Sequence, residues 1–207
     1  MIRLLVATTN PHKLGEIRGL LAQTPVEVVS LESLRPIEEP EETGKTFEEN
    51  ARLKALYYER ARTMASAFSR NELTVAEDSG LVIDALDGEP GVRSARFLRP
   101  DATYADRFAE IFRRLDARPD RPRTARFACA LAVAHDARII FETTGTVEGE
   151  IARQPRGTRG FGYDPIFYFP PYGSTLAEVT EAEKLRVAHR GQAFRALARW
   201  LETVRLA

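Results

Sequence analysis

Ile2-Arg3-Leu4-Leu5-Val6-Ala7-Thr8-Thr9-Asn10-Pro11-His12-Lys13 is the stretch that decides the fold class. Residues 2–7 read as a buried strand, apolar apart from Arg3. Asn10 can cap a helix, and Pro11 suits its first position, where a missing N–H costs nothing. Beyond it Leu14, Ile17, Leu20 and Leu21 share one face of a helix. A strand that feeds directly into an amphipathic helix is the opening of an α/β unit.

The rest of the chain extends this pattern. Val26 to Leu31 reads as a second strand, followed by an acidic, proline-bearing loop from Glu32 to Lys45. A helix is expected from Thr46 to about Ala67, with Phe47, Ala51, Ala55, Tyr58 and Ala61 at helical spacing. Residues 73–77 and 81–86 read as two strands flanking Asp78-Ser79-Gly80. A loop with Gly88, Pro90 and Gly91 leads to a helix near Tyr104 to Leu115. Arg126 to Ala134 and Arg138 to Glu148 read as an antiparallel pair joined at His135-Asp136-Ala137, and a further strand lies near Ile166 to Phe169. The last helix, Gln192 to Val204, puts Phe194, Leu197, Ala198, Leu201 and Val204 on one stripe. With no repeat, low-complexity segment or linker, the expectation is a single α/β domain over 1–207 with a mixed sheet.

Composition narrows the partners. A length of 207 residues allows one substantial core, or one core split into two lobes. Thirty basic residues cancel thirty acidic ones, so no net field draws the chain to nucleic acid or a membrane surface. No apolar run is long enough to cross a bilayer, and the N-terminus turns polar too soon for a signal peptide. Cys129, the only cysteine, lies in the apolar run Phe127 to Val133 and reads as a buried small hydrophobe. An intramolecular disulfide and a cysteine-based zinc site are thereby excluded. The expectation is a cytoplasmic protein whose partner is a small molecule; a nucleotide needs only a local cluster of cations.

Five segments carry candidate chemistry. Thr8 to Lys13 sits at a strand-to-helix junction, where N–H groups, hydroxyls and an ammonium suit phosphate; it lacks the glycines of a P-loop, and an ordinary helix cap is the plainer reading. Glu41-Glu42-Thr43-Gly44-Lys45-Thr46-Phe47-Glu48-Glu49-Asn50-Ala51 combines loop carboxylates, suited to a hard divalent cation, with a capping box from Thr46 to Glu49. Asn50 and Lys54 are four apart and share one helix face. Glu77-Asp78-Ser79-Gly80 pairs two carboxylates between apolar strands, as metal binding or base catalysis would need, although a tight turn uses the same residues. Burying both carboxylates demands nearby positive charge. Arg156-Gly157-Thr158-Arg159-Gly160-Phe161-Gly162-Tyr163-Asp164-Pro165-Ile166-Phe167 interleaves three glycines with aromatic rings and ends in a carboxylate. This suits a flat ligand that is stacked and then hydrogen-bonded at its edge, and it equally suits a glycine-rich turn. Lys184 with His189-Arg190-Gly191 offers several directional donors, or surface charge at a helix end.

Taken in order, Thr-Asn-Pro-His-Lys, Glu-Thr-Gly with Thr-Phe-x-Glu-Asn-Ala, Asp-Ser-Gly-Leu, Pro-Gly-Val-x-Ser-Ala-Arg, Gly-Phe-Gly-Tyr-Asp-Pro and His-Arg-Gly resemble the Ham1 family of inosine triphosphate pyrophosphatases. The resemblance runs from the first strand to the last helix. It implies an α/β fold of the ITPase-like Maf/Ham1 kind: a long mixed β-sheet with helices on both sides, forming two lobes around a central cleft that holds the substrate. It also implies hydrolysis of non-standard purine nucleoside triphosphates (dITP, ITP, XTP) to the monophosphate and pyrophosphate, a need for Mg2+, and a homodimer. Residue by residue, Thr8, Thr9, Asn10, Pro11, His12 and Lys13 then line the triphosphate, and Lys54 meets phosphate oxygens. Glu42, with Glu41 beside it, and Asp78 hold the metal; Asp78 matches the proton acceptor and Ser79 a substrate contact. Phe161, Gly162, Tyr163 and Asp164 form the base pocket, with Phe161 stacking and Asp164 at the purine edge. Lys184, His189 and Arg190 read the carbonyl oxygens of hypoxanthine and xanthine, and Pro90 to Arg96 matches a segment near the mouth of the site.

Three positions depart from the family pattern. Glu77 stands where aspartate is common, Ala188 where serine is usual, and Arg159 where glycine is common. Two other functions fit parts of the sequence. A Maf-type pyrophosphatase shares a related fold, but the Gly-Phe-Gly-Tyr-Asp segment and His189-Arg190 argue against it. A nucleotide sensor would keep the base pocket without needing Asp78 and Glu42.

Overall fold

Strand β1 (Ile2–Val6) lies between β2 (Val26–Ser30) and β3 (Glu72–Ile83) and is parallel to both, with Arg3 beside Glu72 and Val6 beside Val75. The computed structural model describes residues 1–34, 36–65, 71–99 and 101–206. Its sheet has seven strands in the order β2-β1-β3-β4-β5-β6-β7, where β4 is Thr124–His135, β5 Arg138–Ile151, β6 Phe167–Phe169 and β7 Ser174–Thr175. The β5–β6 and β6–β7 pairs are antiparallel, so the sheet is mixed as expected. The β4–β5 hairpin turns on Asp136 and Ala137, both at positive φ (48° and 57°), the backbone of a two-residue type I′ turn.

The chain forms two compact units: Met1–Asp78, Cys129–Gly145 and Arg190–Ala207 make the first, Ser79–Ala128 and Thr146–His189 the second. In the first, the period-2 alternation of the strands sorts the core into two faces. Leu4, Val6, Leu73, Val75, Cys129, Leu131 and Val133 pack on one face with Ile17 and Leu21 of α1 (Pro11–Leu21) and Phe194, Leu197 and Leu201 of α5 (His189–Thr203). The opposite face offers mainly small residues, among them Ala7, Ala76, Ala130, Ala132 and Ala134, against Ala51, Ala55 and Tyr58 of α2 (Phe47–Ala65). Small residues on both sides suit close packing of helix on sheet. Helix α2 is further fixed by Glu59, which accepts from Arg62 at 2.8 Å and from Thr74 of β3 at 2.8 Å, while Arg62 also pairs with Glu72.

The core of the second unit joins Leu81 and Ile83 of β3 to Phe108, Ile111 and Leu115 of α3 (Tyr104–Asp116), with Phe127, Val147, Ile166 and Phe167. Helix α4 (Glu181–Val187) follows β7.

Several expected boundaries move. The segments 73–77 and 81–86 are not separate strands: β3 continues through Asp78-Ser79-Gly80 as far as Ile83, and Asp84–Leu86 is a 3-10 turn. Helix α2 ends among the described residues at Ala65, and the expected extension to Ala67 lies outside them. Helix α5 begins at His189 rather than Gln192, which puts His189 and Arg190 in its first turn. Helix α4 carries Lys184 and supplies the helix end expected there, for which no bounds were read. No helix among the described residues is long and apolar enough to cross a membrane.

Candidate active site

The pleat of β3 decides the chemistry at Glu77-Asp78. Successive side chains point to opposite faces, so two adjacent carboxylates meet two different sets of partners. Asp78 turns toward α2. Its Oδ1 receives Lys54 Nζ at 3.0 Å and its Oδ2 receives Asn50 Nδ2 at 3.0 Å, from residues one helical turn apart. The Asn50 side-chain oxygen accepts the Gly44 N–H at 2.8 Å, which ties the acidic loop to the same point. A Cβ at Gly44 would lie 2.5 Å from that oxygen, so glycine is required there. Glu42 comes in from the loop to Lys54 Nζ at 2.7 Å. Two carboxylates therefore converge on one ammonium. Burial pushes the Asp78 carboxyl above the usual aspartate range and Glu42 adds to the rise, against the opposing pull of Lys54 and Asn50.

Glu77 turns to the α1/α5 face and is almost wholly buried. Lys13 Nζ lies 2.7 Å and Arg190 Nη2 3.2 Å from its Oε1, and the Cys129 thiol donates to Oε2 at 3.2 Å. Burial alone would raise its pKa, but Arg190 and then Lys13 overcome that and hold it well below the usual carboxylate range. Arg190 also pairs with buried Glu16 of α1 at 2.6 Å. The positive charge demanded by two buried carboxylates is therefore present, split between the two faces: Lys54 on one, Lys13 and Arg190 on the other.

At the start of α1, Asn10 Oδ1 accepts the N–H groups of His12 (3.0 Å) and Lys13 (3.3 Å), and Thr8 Oγ1 accepts the Asn10 N–H at 3.2 Å. The cap expected from the sequence is formed, and it engages two of the N–H groups that the phosphate reading relied on. Thr9, Pro11 and His12 are exposed around it.

In the second unit the glycine-rich segment closes on itself. Asp164 is buried, and its Oδ2 accepts the Phe161 N–H at 2.8 Å and Lys184 Nζ at 2.7 Å. The Lys184 ammonium also lies 4.5 Å from the centre of the Phe161 ring, within cation–π range. Gly160 has φ +71°, and a Cβ there would collide with the Asp164 carboxylate. Asp164 thus organises the loop and holds Lys184. Tyr163 belongs to the core, its hydroxyl donating to the Ser94 carbonyl at 2.8 Å, while Gly162 lies beside the Tyr104 ring. Ser94, in the segment matched to the mouth of the site, accepts the Leu81 N–H at 2.9 Å and so ties that segment to β3. Ser79 is half-buried on β3 next to Asp78. His189 is buried and stacks on Phe127 at 5.0 Å between ring centres.

The structure thus gathers Glu42, Asn50, Lys54 and Asp78 at one centre and Phe161, Asp164 and Lys184 at another. Glu41 is exposed and is not part of the first centre. Arg190, expected at the base, has its guanidinium between Glu16 and Glu77. Glu16 carried no sequence signal of its own, being a lone carboxylate on an amphipathic helix, and Ser94 was legible only as one residue of the motif Pro90 to Arg96. Arg159 does have a place: its N–H donates to the Ala177 carbonyl at 3.0 Å and Nη1 to the Glu178 carbonyl at 3.3 Å, pinning the glycine-rich loop.

The fold and these clusters define a mixed-sheet α/β protein with a carboxylate–cation centre in one unit and an aromatic–cation centre in the other. The chain belongs to the Ham1 family, which it matches over residues 4–200. It is 44% identical over 200 residues to a dITP/XTP pyrophosphatase from Halalkalibacterium halodurans, covering 96% of this chain and 98% of the relative. It is 43% identical to a dITP/XTP pyrophosphatase from Geobacillus kaustophilus over 99% of this chain and 97% of the other. Among solved structures, a HAM1 protein from Coxiella burnetii superposes with a TM-score of 0.85 at 38% identity, covering 99% of this chain and all of that one.

Proposed function

We propose that this chain is a nucleoside-triphosphate pyrophosphatase that hydrolyses dITP, ITP and XTP to the monophosphate and pyrophosphate, removing deaminated purines from the nucleotide pool. Both units serve this one reaction, so residues 1–207 form one functional domain. The supporting observation is the placement of Asp78, a buried carboxylate gripped by Lys54 and Asn50, in a chain closely similar to proteins of that activity.

Water is the attacking group in this reading. Asp78 accepts its proton, and its raised pKa makes it a better base than an ordinary aspartate. Lys54 and Lys13 bind phosphate oxygens and offset charge that builds up during in-line attack at the α-phosphorus, from which pyrophosphate leaves. For this, Lys54 exchanges Glu42, and Lys13 exchanges Glu77, for phosphate. Glu42 and Asp78 already converge on one cation, and an all-oxygen donor pair completed by phosphate fits Mg2+. When bound there, Mg2+ supplies Lewis-acid polarisation of the phosphoryl oxygens.

The base is handled in the second unit. The Phe161 ring takes the purine face, and Lys184, fixed by Asp164, donates to the 6-oxo oxygen. Adenine presents an amino donor at that position and sets donor against donor, which is how a hydrogen-bonding site rejects strongly. His189 and Arg190 act from behind, His189 through its stacked ring and Arg190 by holding Glu77. A homodimer and a cytoplasmic location belong to the same reading.

The test is pyrophosphate release from dITP, XTP, dATP and dTTP with Mg2+. The expected result is kcat/KM far higher for dITP and XTP than for dATP. Equal rates on all four would discard the account of the base, a preference for dTTP would point to Maf-type chemistry, and binding without release would make the protein a sensor.

A further inference from the structure

The second unit also contains a hollow of about 970 Å³ that shares no residue with the centres above. One wall is the segment after α3, with Arg118, Pro119, Arg121, Pro122 and Arg123 lining it. The other is the stretch leaving β5, from Ala152 through Arg153 and Gln154 to Arg156, and Tyr168 of β6 also lines it. Five guanidinium groups line this space against two carboxylates, Asp116 and Glu150, in a chain whose charges balance overall.

The arginines divide by what they already hold. Arg123 is structural: it donates to the Ile151 and Ala152 carbonyls at 3.1 and 3.2 Å and to Asp116 at 3.3 Å, so it stitches the two walls together and neutralises one of the acids. Arg118 gives Nη1 to the Ala85 carbonyl at 2.6 Å. Arg121 pairs with Asp87 at 3.2 Å, with both side chains more than half exposed. Arg156 meets Glu178 at 3.4 Å and lies 5.5 Å from the centre of the Tyr168 ring. Arg153 is exposed and has no ion pair among the described residues. Solvent-exposed pairs such as Arg121–Asp87 are worth about 0–1 kcal/mol, so a better acceptor displaces them at little cost.

We propose that this hollow is a second ligand site, for a compound that carries two or more linked phosphates. Arginine forks match phosphate oxygens two at a time. Pro119, Pro122 and Pro155 stiffen the two walls, so little ordering cost opposes binding. The volume is of the size that small-molecule sites have. The linked phosphates can come from an inorganic oligophosphate or from the tail of a nucleotide, and Tyr168 offers the ring that only a nucleotide would use.

The test is calorimetric titration of the metal-free protein at low salt with inorganic tripolyphosphate and, separately, ADP. The wild-type chain is expected to bind two tripolyphosphates. Arg121→Ala/Arg153→Ala, which alters surface side chains only, is expected to bind one and to keep its turnover on dITP. Lys13→Ala/Lys54→Ala is expected to keep the site in the hollow, and Arg153→Glu in that background to weaken it about tenfold or more, the scale of one charge-assisted hydrogen bond. ADP binding to Lys13→Ala/Lys54→Ala more tightly than tripolyphosphate, and losing that advantage in Tyr168→Ala, assigns the nucleotide; tighter tripolyphosphate assigns the inorganic ligand. Loss of all binding in Lys13→Ala/Lys54→Ala, or two sites surviving in Arg121→Ala/Arg153→Ala, overturns the proposal. Neither result depends on whether the chain releases pyrophosphate.

Discussion

Asp78 combines two features that rarely coincide: it is buried, and its neighbours hold it in place without neutralising its basicity. Burial raises its pKa while Lys54 and Asn50 fix both oxygens. Asp78→Asn keeps the size and one oxygen acceptor but removes the proton acceptor. It is expected to lower kcat on dITP about a hundredfold or more with an unchanged melting profile; near-normal turnover would remove Asp78 from the chemistry. Because the base must be charged, activity should also fall as pH drops through the raised value, above the ordinary aspartate value of 3.8. At this scale the sequence was legible where a residue's neighbours are fixed by local geometry. Asn50 and Lys54 share a face because they lie four apart, and Asn10 caps because Pro11 follows it. It was not legible for Arg190, whose partners Glu16 and Glu77 are 174 and 113 residues away in the chain.

The alternation of β3 separates Glu77 from Asp78, and it pairs Lys13 and Arg190 with Glu77. Its depressed pKa means that its stabilisation is fully present above the ordinary glutamate value of 4.5 and is lost as pH falls through the lower folded value. Glu77→Gln leaves Arg190 and Lys13 short of a carboxylate. The expected loss is about 3 kcal/mol at pH 7, or a melting temperature lower by about 6–12 °C for a chain of this size. The gap between variant and wild type should narrow in acid; a gap independent of pH would mean that the charge of Glu77 is not what stabilises. In the glycine-rich loop, Gly160→Ala adds a Cβ at positive φ directly against Asp164. It should release the Phe161 N–H and Lys184 and raise KM for dITP about tenfold, from strain of about 1–3 kcal/mol; steady-state kinetics on dITP would show it. Serine and glycine in mid-strand were read as a break because both favour turns, yet β3 carries them through the interior of the sheet, where neighbouring strands supply the order that propensity lacks. Helix α4 was legible only as a helix end without bounds, because seven residues are too few to show a period. Its one available signal was the capping box of Thr180 and Glu183, which the structure forms.

For the whole molecule, the proposed function divides one reaction between the two centres, into chemistry and choice, and that division can be measured. In that proposal Lys54, in the first unit, meets only the phosphates, which every nucleoside triphosphate shares. Lys184, in the second, meets only the base. Lys54→Ala should therefore lower kcat/KM on dITP and on dATP by the same factor and leave their ratio unchanged. Lys184→Ala should lower kcat/KM on dITP by about tenfold or more, the scale of a lost charged hydrogen bond, and barely change the slow rate on dATP, so that the ratio collapses. Residues that share no partner add in free energy, so the double variant should show both losses summed to within about 0.5 kcal/mol. Kinetics of the two single variants and the double on both substrates decide the matter. If Lys184→Ala slows dITP and dATP alike, Lys184 does not read the base.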